Sequence, residues 1–486
     1  MLLLRRSLYY FFFLVYCVAC PLIILYALGY ILKPGSEHGL AKTGLIYLAT
    51  LPPGAVVHVE NKRFLEKTPT MIRGLLPANY RVAVSLKGYR PWTRTIPVQA
   101  EKAAVFDNIL LLPGEPRYER LLTEEFNDLI PAGSERFLLL AKGPLLEDLF
   151  LYDLEDETLS PAVPGDFSFG GARVVSHSSS AGGENLLVHA QSGPWWGEEK
   201  FFWIPLSHKT GISDVTRLFR DKPRLVDWDS RRPSQLFAWT DGVLNRLDVL
   251  SGAIYPKFME GVRAYGLSEK KLYVVDEDDG FQKMDLEGKN REGLEEDAPW
   301  TREFLTEGGV YQIKIFAGDK ALFLGRRGRL LSSESPHLLA DEGVSGVEPD
   351  PASQKVLIWG RDRLGIFDFA GGARDRGGFF GTEPRGGGVR WVVERPGRIA
   401  QAFWVYEGSH VLFRDADRVY LLELAKNAPP GFHEYLEVKR GSSVVYMEKS
   451  GRVYYLEKTT GQLCRAEIVP KAEALFPKER AGGRGV

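Results

Sequence analysis

The stretch Leu236-Phe237-Ala238-Trp239-Thr240-Asp241-Gly242-Val243-Leu244-Asn245-Arg246-Leu247-Asp248-Val249 decides the fold. It contains two apolar runs separated by Asp-Gly, which is a strong signal for a β-hairpin. The second run ends in an acidic residue, followed by another apolar residue and a turn. The stretch therefore predicts two antiparallel strands, the second of which ends in an acidic residue, an apolar residue and a turn.

That ending recurs along most of the chain. Clear copies stand at 149–154, 244–249, 281–286, 364–369, 419–424 and 453–458, with degenerate copies at 202–206 and 329–332. The copies are on average about 43 residues apart, and a β-only period of roughly 40 to 50 residues is typical of propeller blades, in which four-stranded sheets surround a central channel. We predict an all-β fold with a β-propeller over residues 115–470. Eight blades are favoured and seven are possible. The strand that closes the ring is expected near residues 115–130.

The acidic residue of each copy invites a catalytic interpretation. Catalysis uses one or two unique acids, whereas a residue that recurs in every blade serves the blade. We therefore predict a turn or strand-edge role for these acids. They are Asp153, Asp248, Asp285, Asp368, Glu423 and Glu457.

The N-terminus carries an uncharged apolar run over residues 8–32. A bilayer core needs about 20 apolar residues in a helix, so the run predicts a single transmembrane helix. Arg5 and Arg6 precede it, which predicts a cytoplasmic stub over 1–7 and places the bulk of the chain outside the cytoplasm at the cell membrane. A cleaved signal peptide is the alternative. Tyrosines near both ends of the run are expected at the membrane interface: Tyr9, Tyr10, Tyr26 and Tyr30.

A linker over 33–42 leads to short alternating runs that predict a small β-sandwich over 43–113. Four motifs occur there in order: Pro52-Pro53-Gly54-Ala55, Lys67-Thr68-Pro69, Leu76-Pro77-Ala78-Asn79-Tyr80 and Lys87-Gly88-Tyr89. Together they resemble a PEGA domain, with Pro53 in place of the usual acidic residue and Ala78 in place of a turn glycine. With the anchor, the first 113 residues resemble membrane-anchored PEGA proteins of candidate-phylum bacteria. The resemblance implies an extracytoplasmic, non-catalytic module that mediates envelope interactions.

Composition excludes several function classes. Lys and Arg number 62 and Asp and Glu 63, so the chain lacks the basic surplus of a general nucleic-acid binder. Two of its three cysteines, Cys17 and Cys20, lie in the apolar run, which leaves no disulfide framework or cysteine zinc site. No metal site, cofactor or catalytic set is predicted. The acidic segment 276–280 departs from the spacing of a calcium loop and is better explained as a hairpin turn.

One pair of side chains is predicted to bind a ligand. Trp195 and Trp196 lie in the connection between two strands of one repeat. Aromatic pairs on loops bind sugars or partner chains, because they bury a large area at low entropic cost. Packing beneath the loop is the alternative. Residues 471–486 are expected to form a disordered tail.

These features predict a membrane-anchored extracytoplasmic scaffold of the cell envelope. Its propeller would present loops to a protein or glycan partner, with a single membrane span and no nucleic acid. The alternative is a propeller-based hydrolase or lyase that acts on envelope polysaccharide, which rests on fold analogy.

Overall fold

The computed structural model describes residues 2–27, 30–32, 40–114, 118–132, 135–143, 145–163, 171–180, 183–192, 197–206, 212–229, 231–295, 299–305, 309–350, 355–369, 388–394, 397–424 and 431–470. The segment predicted as a disordered tail lies outside these ranges, as do Trp195 and Trp196.

The chain begins with helix α1, Leu2–Ala27. Strand β1 (Tyr30–Leu32) follows and pairs antiparallel with β2 (Leu40–Lys42). Within the described ranges, no helix is long and apolar enough to cross a membrane. The transmembrane helix predicted over 8–32 is therefore unsupported, and its bounds are wrong, because the helix ends at Ala27 and Tyr30 is in an extended strand. The predicted linker is also too long, since its last three residues form β2.

Two sheets packed face to face form the N-terminal sandwich. Their strands are β3 (Gly44–Leu51), β4 (Val56–Val59), β5 (Lys62–Lys67), β6 (Thr70–Leu75), β7 (Ala78–Ser85), β8 (Trp92–Val98) and β9 (Ala103–Leu110). One sheet has the order β6-β3-β9 and the other β5-β4-β7-β8. Alternate residues such as Val57 and Val59, or Val82 and Val84, point into the shared core, as the period-two pattern predicts. The short alternating runs of this segment indicate antiparallel strands, but the pair β3–β9 is parallel.

Eight four-stranded antiparallel units follow in the described residues, the number that the repeats favour. Blade 1 contains β11 (Asp128–Pro131), β12 (Phe137–Ala141), β13 (Leu149–Asp153) and β14 (Thr158–Pro161). Blade 2 contains β15 (Ala172–Ser179), β16 (Asn185–Ser192), β17 (Glu198–Pro205) and β18 (Ser213–Asp214). Blade 3 contains β19 (Leu225–Trp228), β20 (Gln235–Thr240), β21 (Val243–Asp248) and β22 (Ala253–Glu260). Blade 4 contains β23 (Val262–Leu267), β24 (Lys271–Asp276), β25 (Phe281–Asp285) and β26 (Glu292–Glu295).

Blade 5 contains β27 (Tyr311–Ile315), β28 (Ala321–Gly325), β29 (Leu330–Ser332) and β30 (Leu338–Ala340). Blade 6 contains β31 (Val344–Pro349), β32 (Lys355–Gly360), β33 (Arg363–Asp368) and β34 (Arg390–Glu394). Blade 7 contains β35 (Ile399–Val405), β36 (His410–Asp415), β37 (Arg418–Glu423) and β38 (Gly431–Glu437). Blade 8 contains β39 (Val445–Met447), β40 (Arg452–Leu456) and β41 (Gln462–Glu467), and its outer strand is β10 (Tyr118–Glu125). A short helix, α2 (Pro299–Phe304), precedes blade 5, and 3-10 turns span Leu146–Asp148 and Val215–Leu218.

The blades close into a ring. A separate apolar cluster joins each blade to the next, and one of these clusters joins blade 8 to blade 1 through residues such as Leu456 and Leu140. The first strands of blades 4 and 5 meet in a parallel pair at Tyr265 and Gln312, so the first strands line the centre. Pairing of β10 with β41 completes blade 8, which confirms a closing strand near 115–130.

Antiparallel order gives the ring two distinct faces. We call distal the face that carries the turns between second and third strands and the connections between blades. We call proximal the face that carries the remaining turns. The repeated sequence pattern, an apolar strand that ends in an acidic residue in its clear copies, forms the third strand in blades 1 to 7 and ends at the proximal face. In blade 8 the copy at 453–458 is instead the second strand, and Gln462–Glu467 is the third.

The predicted turn role of the repeated acids holds where their contacts are clear. Asp153 accepts hydrogen bonds from the backbone N–H groups of Glu155 and Asp156. Asp248 accepts from the N–H and hydroxyl of Ser251. Asp285 accepts from the Lys289 N–H and the Asn290 amide, so each of these three acids fixes the turn that leaves its strand. Glu423 has a different role, described below.

Candidate functional site

The N-terminal sandwich is fixed to the proximal face of blade 7. The carboxylate of Glu423 accepts hydrogen bonds from the indole N–H of Trp92 and from Nη2 of Arg94, both at 2.9 Å from Oε2. Arg90 donates to the backbone carbonyl of Glu434 at 3.1 Å. In blades 1, 3 and 4 the acid at this position caps a turn, whereas Glu423 binds another domain. Trp92 also packs in the core of the sandwich, where its ring contacts Phe106.

Apolar contacts extend this junction. Leu51, Leu110 and Leu112 of the N-terminal segment share one cluster with residues of blades 7 and 8. Nearby, His410 is buried, and burial lowers its pKa to about 4, opposed by Glu423 and assisted by Arg94. The sandwich thus covers part of the proximal face and lies away from the distal face.

At the distal face a side chain spans the ring. Arg326 lies in the turn between β28 and β29 of blade 5, and it donates to Glu199 of blade 2 from Nη1 (3.4 Å, Oε1) and Nη2 (3.2 Å, Oε2). Its Nη2 also donates to the backbone carbonyl of Arg224, just before blade 3, at 3.3 Å. Blade 4 separates blade 5 from these partners along the ring, so Arg326 crosses the mouth of the channel. We call Glu199, Arg224, Asp241 and Arg326 the distal mouth.

Further ion pairs at this face hold the acceptors in place. Nη2 of Arg224 lies 2.9 Å from Oδ1 of Asp241, which belongs to the Asp-Gly turn of blade 3. Lys222 pairs with Glu198 at 2.7 Å. These charges come from inter-strand turns and blade connections, which bring together residues far apart in the sequence.

His189 lies beneath the mouth, with its ring stacked on Phe201 at 4.6 Å between centroids. Burial lowers its pKa, opposed by Glu199 and assisted by Arg326. Its Nδ1 lies 3.5 Å from the hydroxyl of Ser176 and its Nε2 lies 3.6 Å from Glu199. A catalytic proton relay works at about 2.6–3.2 Å, and the Glu199 carboxylate already binds Arg326. Both contacts of His189 are longer than that range.

Ionisable groups also line the first strands below the mouth. Burial raises the pKa of Asp227 in blade 3, while Lys314 in blade 5 opposes this shift. Burial likewise raises the pKa of Glu348 in blade 6, again opposed by Lys314. Tyr265 in blade 4 is fully buried, and burial beside Asp227 raises its pKa. Ionisable side chains from blades 3 to 6 therefore lie on the first strands of the ring.

The structure describes some of the residues singled out from the sequence and not others. Trp195 and Trp196 fall outside the described residues, although the strands on either side of them carry His189 and Glu199. The acidic segment at 276–280 is a hairpin turn, since Asp276 accepts from the Gly280 N–H at 2.8 Å. Among the residues that the structure describes, no three His, Cys, Asp or Glu side chains come close enough to hold a metal ion.

Sequence reasoning missed the distal mouth. A usable signal was present in Gly325-Arg326-Arg327-Gly328-Arg329, where three arginines occupy one tight turn. Nothing local in the sequence pairs this turn with Glu199, 127 positions away.

The two-sheet sandwich on the proximal face carries the four motifs quoted above, and a family comparison now identifies it. Residues 43–110 match the PEGA domain. The chain therefore combines a PEGA domain with a β-propeller.

Solved structures resemble the chain over most of its length. One is the C-terminal WD40 domain of Sif2, at 11% identity and a TM-score of 0.47, covering 74% of this chain and 99% of that chain. Another is the Cps50 (Swd1) β-propeller domain of Myceliophteria thermophila, at 11% identity and a TM-score of 0.38, covering 72% and 98%. A third is the computationally designed Ika8 protein, at 12% identity and a TM-score of 0.38, covering 71% and 97%. No curated protein matches the sequence.

Proposed function

We propose that this protein is an interaction scaffold whose distal mouth binds a partner protein. The observation that carries the proposal is the cross-ring contact between Arg326 and Glu199, which gathers charges from three blades at the face that the PEGA domain does not cover. A rigid ring that presents charged groups from several loops gives a partner both specificity and orientation. Glycan binding is the other outcome that we would test.

Site-specific photo-crosslinking tests this assignment. A benzoylphenylalanine at Lys222 probes the distal face, and the same probe at Asp156, in an exposed turn of blade 1, serves as the proximal control. We expect one protein to crosslink from position 222 only, and to bind again when purified. Crosslinking from both positions, or purified ectodomain that binds only glycans, would contradict the proposal.

Membrane attachment through helix α1 is also part of the proposal. Its support is the exposure of large apolar side chains along the helix, including Tyr9 and Tyr10 near its start, because such surfaces are stable when lipid covers them. Arg5 and Arg6 favour a cytoplasmic start with the propeller outside the cytoplasm. The cell envelope of a candidate-phylum bacterium remains the predicted setting.

Fractionation tests the attachment. The full chain is expected in the membrane pellet, and a variant with Phe11, Phe12 and Phe13 changed to Ser is expected in the supernatant. Extraction with alkaline carbonate distinguishes insertion of the helix from binding at the membrane surface. Full-length protein that stays in the supernatant would contradict attachment.

A further inference from the structure

The distal mouth already holds a ligand-like group from its own chain. The guanidinium of Arg326 makes two parallel hydrogen bonds to the Glu199 carboxylate and a third to the carbonyl of Arg224. Two parallel N–H···O bonds to a carboxylate are the geometry that distinguishes arginine from lysine. Glu199 and the Arg224 carbonyl therefore form an acceptor site for a guanidinium.

The occupant of this site is weakly held. The Arg326 side chain is 51% exposed and that of Glu199 is 36% exposed, so water screens their attraction. Exposed ion pairs of this kind contribute little to stability, equivalent to a factor of about five or less in an equilibrium constant. A competing guanidinium can therefore replace Arg326 at little cost.

The backbone that carries Arg326 does not need to move in such an exchange. The carbonyls of Arg327 and Gly328 accept hydrogen bonds from Gly343 and Val344 at the start of blade 6. Gly328 has a φ of +79°, and a Cβ there would lie 2.5 Å from the Val344 backbone, so the turn is held closely against blade 6. Rotation of the Arg326 side chain alone opens the site.

The imidazole of His189, beneath the site, does not oppose a cation. Burial lowers the pKa of His189, so its imidazole is neutral near pH 7 and does not repel an incoming guanidinium. The next acids along the channel wall are Asp227 and Glu348; burial disfavours their charged forms, and Lys314 opposes this effect on both.

We propose that the distal mouth recognises an arginine side chain of the partner protein, which displaces Arg326 from Glu199 and the Arg224 carbonyl. This rests on the proposed scaffold function and names the chemistry of its partner. Arg326 acts as an internal competitor that keeps the site occupied until the partner arrives.

Peptide binding to the full chain tests the exchange. The probes are acetylated and amidated Gly-Arg-Gly and Gly-Lys-Gly, followed by calorimetry. Arg326→Ala is expected to bind the arginine peptide about two- to fivefold more tightly than the native chain, because the competitor is gone. The lysine peptide is expected to bind more weakly, since an ammonium cannot form the paired hydrogen bonds. Arg327→Ala, in the same turn, serves as the matched control and should bind like the native chain.

A second variant establishes where the peptide binds. Glu199→Gln in the Arg326→Ala background is expected to lose about two- to fivefold in affinity. Glu199→Asp, which keeps the charge but retracts the carboxylate, should weaken binding too and replaces the Gln variant if that one does not fold. Equal binding with and without the Glu199 change, or no gain in Arg326→Ala, would overturn the proposal. Crosslinking from position 222 that persists in the Glu199 variant would leave the scaffold function standing and remove the arginine recognition alone.

Discussion

Replacing Glu423 by alanine tests how the PEGA domain is joined to the propeller. The Glu423 carboxylate is the shared acceptor for the Trp92 indole and the Arg94 guanidinium, at 2.9 Å each. The side chains of Arg94 and Glu423 are only 16% and 11% exposed, so water cannot take over these contacts fully. The substitution leaves a guanidinium and an indole N–H buried without this acceptor.

The expected loss follows from that burial. Removing one partner of a buried ion pair costs about 3–5 kcal/mol, and the residual exposure of Arg94 places this case near the lower end, at about 3 kcal/mol. Glu423→Gln keeps an acceptor for Trp92 and removes the charge, so its expected loss is about 1–2 kcal/mol. The matched control is Glu434→Ala on the same blade. Its side chain pairs with Arg418 at 2.9 Å but is 43% exposed, so its expected loss is below about 1 kcal/mol.

Urea unfolding of the full chain measures these losses from the midpoint and slope of the transition. A double-mutant cycle with Arg94→Met isolates the pair, and we expect a coupling energy of at least about 1 kcal/mol between Arg94 and Glu423. A coupling below about 0.5 kcal/mol, or equal losses for Glu423→Ala and Glu434→Ala, would refute a buried electrostatic junction.

Three further predictions concern the propeller. The pKa of His410 in the folded protein, about 4, lies below its unfolded value near 6.5, so the unfolded chain binds the proton more readily. The free energy of unfolding should therefore fall as the pH drops from 6.5 to 4, by up to about 3 kcal/mol. In His410→Gln the free energy of unfolding should depend less steeply on pH over this range, and an unchanged slope would count against this. Asp248→Ala, which removes the acceptor of a turn, should cost about 1 kcal/mol in urea unfolding, against less than about 0.5 kcal/mol for Asp221→Ala at an exposed position; equal costs would contradict the turn role. Gly266→Ala should lower stability by about 1–3 kcal/mol, because the added Cβ would lie 2.6 Å from the Cβ of Ile313 in the neighbouring first strand. A thermal midpoint equal to that of the native chain would contradict close packing between these two strands.

The blades could be predicted from sequence because their signals are local. An Asp-Gly turn between apolar runs, as at Asp241, specifies a hairpin wherever it occurs, and repetition of the pattern specifies the ring. The repeated pattern does not show which of the four strands of a blade it forms. Neighbouring strands of one blade carry similar apolar runs, so the repeated pattern alone does not fix the position of a strand: it forms the third strand in blade 1 and the second in blade 8.

The candidate site could not be predicted in the same way. Its decisive contacts join residues that only the closed ring brings together, such as Glu199 and Arg326, or Trp92 and Glu423, which are 331 positions apart. A single sequence shows the charge of these residues and not their partners. Trp195 and Trp196, singled out from the sequence, lie outside the described residues, so ligand binding by this pair stays a prediction.

Closure of the ring by β10 has a consequence for synthesis in the cell. The hydrogen bond from Arg465 to Glu119 joins residues 346 positions apart, so β10 leaves the ribosome long before its partner strand exists. During that interval the PEGA domain can fold, whereas the growing row of blades keeps an unpaired edge at β10 that is prone to aggregate. A chain truncated before Gln462 would leave both β10 and β40 without the strand that joins them.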